Sequence, residues 1–191
     1  MTGLNDLSIA DRYAATADNF GRIVRGVCDW DAPTPVKEWT ARDVVGHFAT
    51  WVPGMIGGGS GLSFPQGSAS PADPVAEWEA LDARLREILA DDEAAATIHR
   101  NPHTGEAPVD QVIDQYVTPD TVFHAWDLAK ASGQEPGLDE DYIAGALAGM
   151  SAASDMIRGS GQFGEQQDVP DDATTEDKFF AFIGRNPRWT P

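Results

Sequence analysis

The apolar residues of this chain recur every three or four positions, and that spacing divides most of it into helices. In residues 8 to about 27, Ile9, Tyr13, Phe20, Ile23, Val24 and Val27 fall on one side. Thr40 reads as an N-cap with Asp43 three residues on, a short capping box. Behind it Val44, Phe48, Trp51, Val52 and Met55 form one stripe. Pro53 predicts a kink or an end, and the run Gly57-Gly58-Gly59 a break. Residues 57–74 are rich in Gly, Ser and Pro and read as a mobile loop able to act as a lid over a site. A third helix covers about 74–90, with Trp78, Leu81, Leu85, Ile88 and Leu89 inward. The stretch ATIHRNPHTGEAP is turn-rich and predicts a small hairpin around Pro102-His103-Thr104-Gly105. The helix DQVIDQYVTPDTVFHAWDLAKAS follows and stops at Gly133, a residue suited to a helix end. Further helices are expected over about 139–158 and, capped by Thr174 or Thr175, over EDKFFAFIG; a polar loop, 159–173, separates them. With helical periodicity throughout, the expectation is an all-α bundle forming a single domain over residues 1–191.

Two of these helices carry polar groups in their apolar faces. His47 lies at the edge of the Val44–Phe48–Trp51 stripe. Asp120, His124 and Asp127 share the arc of Ile113, Tyr116, Val117, Leu128 and Ala131. Burying a polar or ionisable group without a partner costs about 2–7 kcal/mol or more, so these groups need partners. Asp120 and His124 stand one helical turn apart, a spacing that lets both grip one ion. His47 on a facing helix would close the site, and two imidazoles plus a carboxylate are what a divalent metal takes in a helix bundle. The plainer reading is also open: Thr118-Pro119 resembles a helix start, which would make Asp120 a first-turn acid. Asp127 reads either as an orienting carboxylate behind a ligand or as a helix-stabilising partner of His124. Trp51 and Trp126 are candidates to line a pocket, with core packing as the alternative. Arg158 offers a guanidinium for a substrate carboxylate, or a surface salt bridge. His99 and His103 sit in loop-like surroundings and read as surface residues.

Charge narrows the partners. The formal net charge is −18, which argues against nucleic acid and anionic membrane surfaces. No basic N-terminal region with an apolar run is visible, nor any apolar run long enough to span a membrane, so a cytoplasmic location is expected. A single cysteine, Cys28, rules out an internal disulfide framework and reads as a small buried residue rather than a nucleophile. There is no glycine-rich phosphate loop, no GxSxG elbow and no HExxH.

Three separated segments, DWDAPTPVKEWTARDVVGHFA, DTVFHAWDLAKASG and FFAFIGRNPRW, resemble an actinobacterial group of metal-binding proteins. That group sits with the N-terminal domain of mycothiol-dependent maleylpyruvate isomerase in the wider DinB-like superfamily. The resemblance implies an up-and-down four-helix bundle with a metal held by His, an acidic residue and His. Carried over by motif, these are His47, Asp120 and His124, the trio also reached from periodicity. Two departures stand out: Val36 occupies the position of a cysteine in many relatives, and Asp120 replaces the isomerase's glutamate. The isomerase has a further C-terminal domain that contributes to its substrate site, whereas this chain is expected to end with the bundle, so the isomerase reaction itself is not carried over.

The resulting expectation is a metal-dependent enzyme of thiol transfer or isomerisation, acting with a low-molecular-weight thiol such as mycothiol or another small molecule. Zn²⁺ is the expected ion, with Ni²⁺, Fe²⁺ and Mn²⁺ compatible with the same donors. A non-catalytic metal- or small-ligand-binding bundle of accessory or stress role, and a structural homodimer with a vestigial site, are the alternatives.

Overall fold

A computed structural model describes residues 3–102, 105–154, 159, 161 and 163–191. Helix α1 spans Ile9–Gly26, and the Ser8 side chain accepts the amide of Asp11 at its start. Tyr13, Ala17, Phe20 and Val24 are buried along one face, as the spacing predicts. The helix ends before Cys28, which is exposed rather than buried: past the last helical turn its side chain no longer follows the apolar face. The chain then folds into a small turn in which Pro33 pairs with Thr40 and the Thr34 amide donates to the Trp39 carbonyl, 2.9 Å. Glu38 takes a positive φ of 67°, an uncommon conformation for a residue with a side chain, just before Trp39. Thr40 and Asp43 form the expected capping box and start α2.

Helix α2 runs over Ala41–Val52, and Pro53 does not end it. The backbone passes through a π turn, Pro53–Gly57, and continues as Gly58–Ser60 until Gly61 reverses it with φ 78°. Proline lacks the amide hydrogen of a regular helix, and a single wider turn absorbs that defect. The glycine run therefore continues the helix instead of breaking it. The helix that carries Asp120 behaves in the same way.

Helix α3 spans Pro74–Ala90, capped by Asp73, with Trp78, Leu81, Leu85 and Ile88 buried. After it β1, Ile98–Asn101, pairs antiparallel with β2, Gly105–Pro108, in the expected hairpin. His99 is buried, not on the surface: its Nε2 lies 3.0 Å from the Met55 carbonyl in the π turn of α2 and its ring packs on Gly59. A ring that fastens the hairpin to α2 cannot be read from loop-like neighbours. His103 and Arg158 lie outside the described residues.

Helix α4 begins as Val109–Val112, makes a π turn over Ile113–Val117 and continues as Thr118–Ser132. Thr118 is thus not an N-cap but a mid-helix residue, and Pro119 is absorbed by the preceding π turn. Asp120 accordingly sits well inside a long helix. Among the described residues, helices α5, Glu140–Ala152, and α6, Thr175–Phe182, follow, capped by Asp139 and Thr174; the expected end of α5 at about 158 lies outside the described residues.

The four long helices form a ring in which α1 touches α3 and α4, and α2 touches the same two. Phe20, Phe48 and Trp78 meet edge-on at its centre, with ring centroids 4.5–5.5 Å apart. Ion pairs and hydrogen bonds give the directions. Arg12 meets Asp114 near the start of both α1 and α4, while Gln134 reaches Ile23 near their ends, so these two run parallel. His47 and Trp51 both reach Asp120, and Phe48 meets His124, so α2 runs against α4. Arg25 pairs with Glu79 and Asp18 with Arg86, so α3 runs against α1 and therefore along α2: the bundle is all-α as expected, but its directions are up, down, down, up rather than the alternating up-and-down order.

Residues 61–73 make that parallel pair possible. They run back along α2: a Cβ at Gly67 would strike the Ala49 carbonyl, a Cβ at Gly46 would strike that of Ala69, and Arg42 donates to the Pro71 carbonyl, 2.6 Å. Gly46 and Ala49 lie roughly 100° and 200° round the helix from His47. The segment is thus a return strap on the far side of α2, not a lid over His47.

A second core lies on the outer face of α4, where Val122, Phe123 and Trp126 pack against Ile143, Phe179, Phe180 and Ile183 of α5 and the α6 region. No helix among the described residues is long and apolar enough to cross a membrane.

Candidate metal centre

Helices α2 and α4 bring His47, Asp120 and His124 together, and one ligand atom from each lies within 4.8 Å of the others. His47 Nε2 is 3.1 Å from Asp120 Oδ2, and His124 Nε2 is 3.5 Å from Asp120 Oδ1. Donors held tetrahedrally at about 2.0–2.1 Å from an ion stand roughly 3.3 Å apart, so the spacing fits a zinc-sized ion. Both π turns adjoin this level of the bundle, one after Trp51 and one before Asp120. The side chains of His47 and Asp120 keep 28% and 22% of their exposure and that of His124 keeps 5%, so the cluster is rooted in the core and open at one edge.

Each donor is held by a neighbour. Trp51 Nε1 donates to Asp120 Oδ2 at 3.2 Å. Trp39 stacks on the His124 ring at 5.6 Å and 18°, and its centroid is 5.1 Å from that of His47. Phe48 meets His124 edge-on from the core side. His124 Nδ1 lies 2.9 Å from Asp127 Oδ2. Asp127 is fully buried and receives Arg185 as a fork, Nη2 on Oδ2 at 3.0 Å and Nε on Oδ1 at 3.3 Å. Burial pushes the Asp127 carboxyl up, but the Arg185 charge and the His124 hydrogen bond outweigh it and hold the group below its usual range. An ionised Asp127 accepts a hydrogen bond from His124 Nδ1–H, which leaves Nε2 as the nitrogen that faces Asp120. This is the carboxylate–histidine arrangement found behind metal ligands.

The other sequence candidates separate. Trp51 borders the trio. Trp126 does not: two residues after His124 on the helix, it stacks on Phe180 at 4.1 Å and donates to Glu176 at 2.8 Å inside the second core. Trp39 and Arg185 were not singled out from the sequence. Both lie in segments that carry the family resemblance, but neither has a periodicity that points at the trio.

The mycothiol maleylpyruvate isomerase N-terminal domain model matches residues 13–56, which hold most of α1 and the His47 turn of α2. Uncharacterized protein Rv0738 of Mycobacterium tuberculosis (strain ATCC 25618 / H37Rv) is 33% identical over 165 residues, covering 82% of this chain and 85% of its own length. The same figures hold for Uncharacterized protein MT0763 of strain CDC 1551 / Oshkosh. The chain belongs to the mycothiol maleylpyruvate isomerase N-terminal domain family. Asp120 and His124 lie beyond the matched residues, so the assembly of the trio is seen in the fold and not in the match. No solved structure matches the chain significantly.

Proposed function

We propose that the protein is a divalent-metal-dependent enzyme that activates a low-molecular-weight thiol of the mycothiol type for transfer or isomerisation. The observation that carries this reading is the half-open His47–Asp120–His124 cluster, buttressed from behind by Asp127. Its donors suit Zn²⁺ above Ni²⁺, Fe²⁺ or Mn²⁺, given two imidazoles and one carboxylate. Three protein ligands leave a coordination position for a small molecule. When bound, the ion supplies one thing: it lowers the pKa of a coordinating thiol so that a nucleophile exists at neutral pH.

The chain's own residues supply the rest. Asp120 spans both histidines with its two oxygens, and Trp51 fixes its orientation. His124 is aimed by Asp127. Trp39 and Trp51 flank the open edge and offer apolar faces to the non-polar part of a ligand. The thiol class is taken from the family's description, since the two mycobacterial relatives carry no described activity. Maleylpyruvate isomerisation itself is not proposed, because the family model describes an N-terminal domain and matches residues 13–56 alone.

The test is elemental analysis of untagged protein beside a His47→Ala/His124→Ala double variant. The expected result is about one metal per chain in the wild type and none in the variant. Cobalt-substituted protein titrated with mycothiol, and with glutathione as a comparison, should then develop a thiolate-to-metal absorption band. Wild-type protein that stays empty after reconstitution with Zn²⁺, Ni²⁺ and Mn²⁺ would refute the metal reading. Metal retention without any thiol-dependent band would leave a non-catalytic metal-binding bundle.

A further inference from the structure

The C-terminal segment converges on one buried carboxylate. After α6 the chain reverses at Gly184, whose φ of 90° is a conformation that side chains rarely adopt. A Cβ there would also collide with the Gly164 backbone, so the reversal is tightly seated. The Arg185 amide donates to the Phe180 carbonyl at 2.8 Å and its Nη1 to the Ile183 carbonyl at 3.3 Å. The guanidinium is therefore aimed by backbone contacts of its own segment. It then meets Asp127 as a two-pronged fork, across a separation of 58 residues.

A fork fixes the plane of a carboxylate, where a single point charge does not. Asp127 Oδ2 lies between Arg185 Nη2 at 3.0 Å and His124 Nδ1 at 2.9 Å. The carboxylate plane thus sets which His124 nitrogen carries the proton and where the other one points. That other nitrogen, Nε2, is the one near Asp120. We propose that Arg185 is a positioning residue of the metal centre: by fixing Asp127 it sets the tautomer and aim of His124, and so makes metal affinity depend on docking of the C-terminal segment. The effect on affinity rests on the metal reading above, while the effect on the tautomer needs no ion.

Arg185→Lys and Arg185→Gln test it. Lysine retains the positive charge but cannot form the fork. The His124 ring is followed by ¹⁵N NMR in metal-free protein, and Zn²⁺ affinity by competition with a chromophoric chelator. At a pH where the ring is neutral, wild-type His124 should show one tautomer with the proton on Nδ1. Both variants should show mixed tautomers and Zn²⁺ affinity weaker by about 10–100-fold, with helix content retained. A single Nδ1–H tautomer and wild-type affinity in Arg185→Lys would overturn the proposal, because charge alone would then suffice. Should Arg185→Gln fail to fold, Arg185→Lys decides alone. Wild-type protein that binds no Zn²⁺ would defeat the metal reading, and the tautomer comparison would still support or overturn the role of Arg185.

Discussion

Replacing Gly46 by alanine should destabilise this protein, the opposite of the usual effect in a helix. Alanine exceeds glycine by about 0.8–1.0 kcal/mol in a helix interior. At Gly46 the gain meets an obstacle, because an added Cβ would lie far inside contact distance of the Ala69 carbonyl. The obstacle is backbone of the return strap, which Gly67 seats against Ala49 and Arg42 holds at Pro71, so it has no rotamer to change. Overpacking of this kind costs about 1–3 kcal/mol, and a backbone obstacle belongs at the upper end. The net expectation is a loss of about 1–2 kcal/mol. Gly58→Ala is the internal control: it lies in the continuation of the same helix with φ −62° and ψ −34°, and a Cβ there meets nothing within 4 Å. It should stabilise by about 0.5–1 kcal/mol. Urea unfolding followed by tryptophan fluorescence should move the two midpoints in opposite directions. Melting temperatures should follow by about 2–4 °C per kcal/mol. A Gly46→Ala variant as stabilised as Gly58→Ala would refute the close crossing, and with it the route that lets α2 and α3 run parallel.

Trp126→Ala should cost about 3–5 kcal/mol through loss of its stack on Phe180, yet leave metal content unchanged, as elemental analysis of the folded variant would show. Trp51→Phe should do the reverse: removing the indole donor to Asp120 should weaken Zn²⁺ binding by about tenfold in a chelator competition, with little change in melting. Tyr13 is buried, and burial together with the neighbouring Asp82 carboxylate holds its pKa well above 10.0. Its contribution is fully present below pH 10.0 and is lost as pH rises toward the folded value, since only the unfolded chain ionises there. Urea titrations above pH 10.0 should therefore show a shallower fall for Tyr13→Phe than for wild type, with Tyr142, pushed up to about 12, sustaining part of the decline.

The positions of α1, α3 and α6 were legible in the sequence because their signals are local. A 3.6-residue period and a Ser, Asp or Thr cap need no distant partner to be recognised, and Ser8, Asp73 and Thr174 act as caps here. The candidate trio was legible for a related reason: a polar group in an apolar stripe requires a partner wherever the stripe is buried. What the stripe does not hold is the identity of the facing helix. His47 meets Asp120 only because α2 runs against α4. The prolines illustrate the limit at short range. Pro53 and Pro119 signal an interrupted helix, yet packing on both sides makes continuation through a π turn the better solution. His99, Trp39 and Arg185 show it at long range, since each gains its role from a partner on another element.

Sequence alone thus determined the spans of α1, α3 and α6, the inward faces of the long helices and the polar demand of His47, Asp120 and His124, all properties of a single segment. Tertiary structure alone decided the helix directions, the strap on the far side of α2, the outward burial of Trp126 and the Arg185 fork on Asp127. Those depend on which surfaces meet. Hydrophobic burial is non-directional, so an apolar face specifies that it must be covered and leaves its partner to the packing of the whole chain.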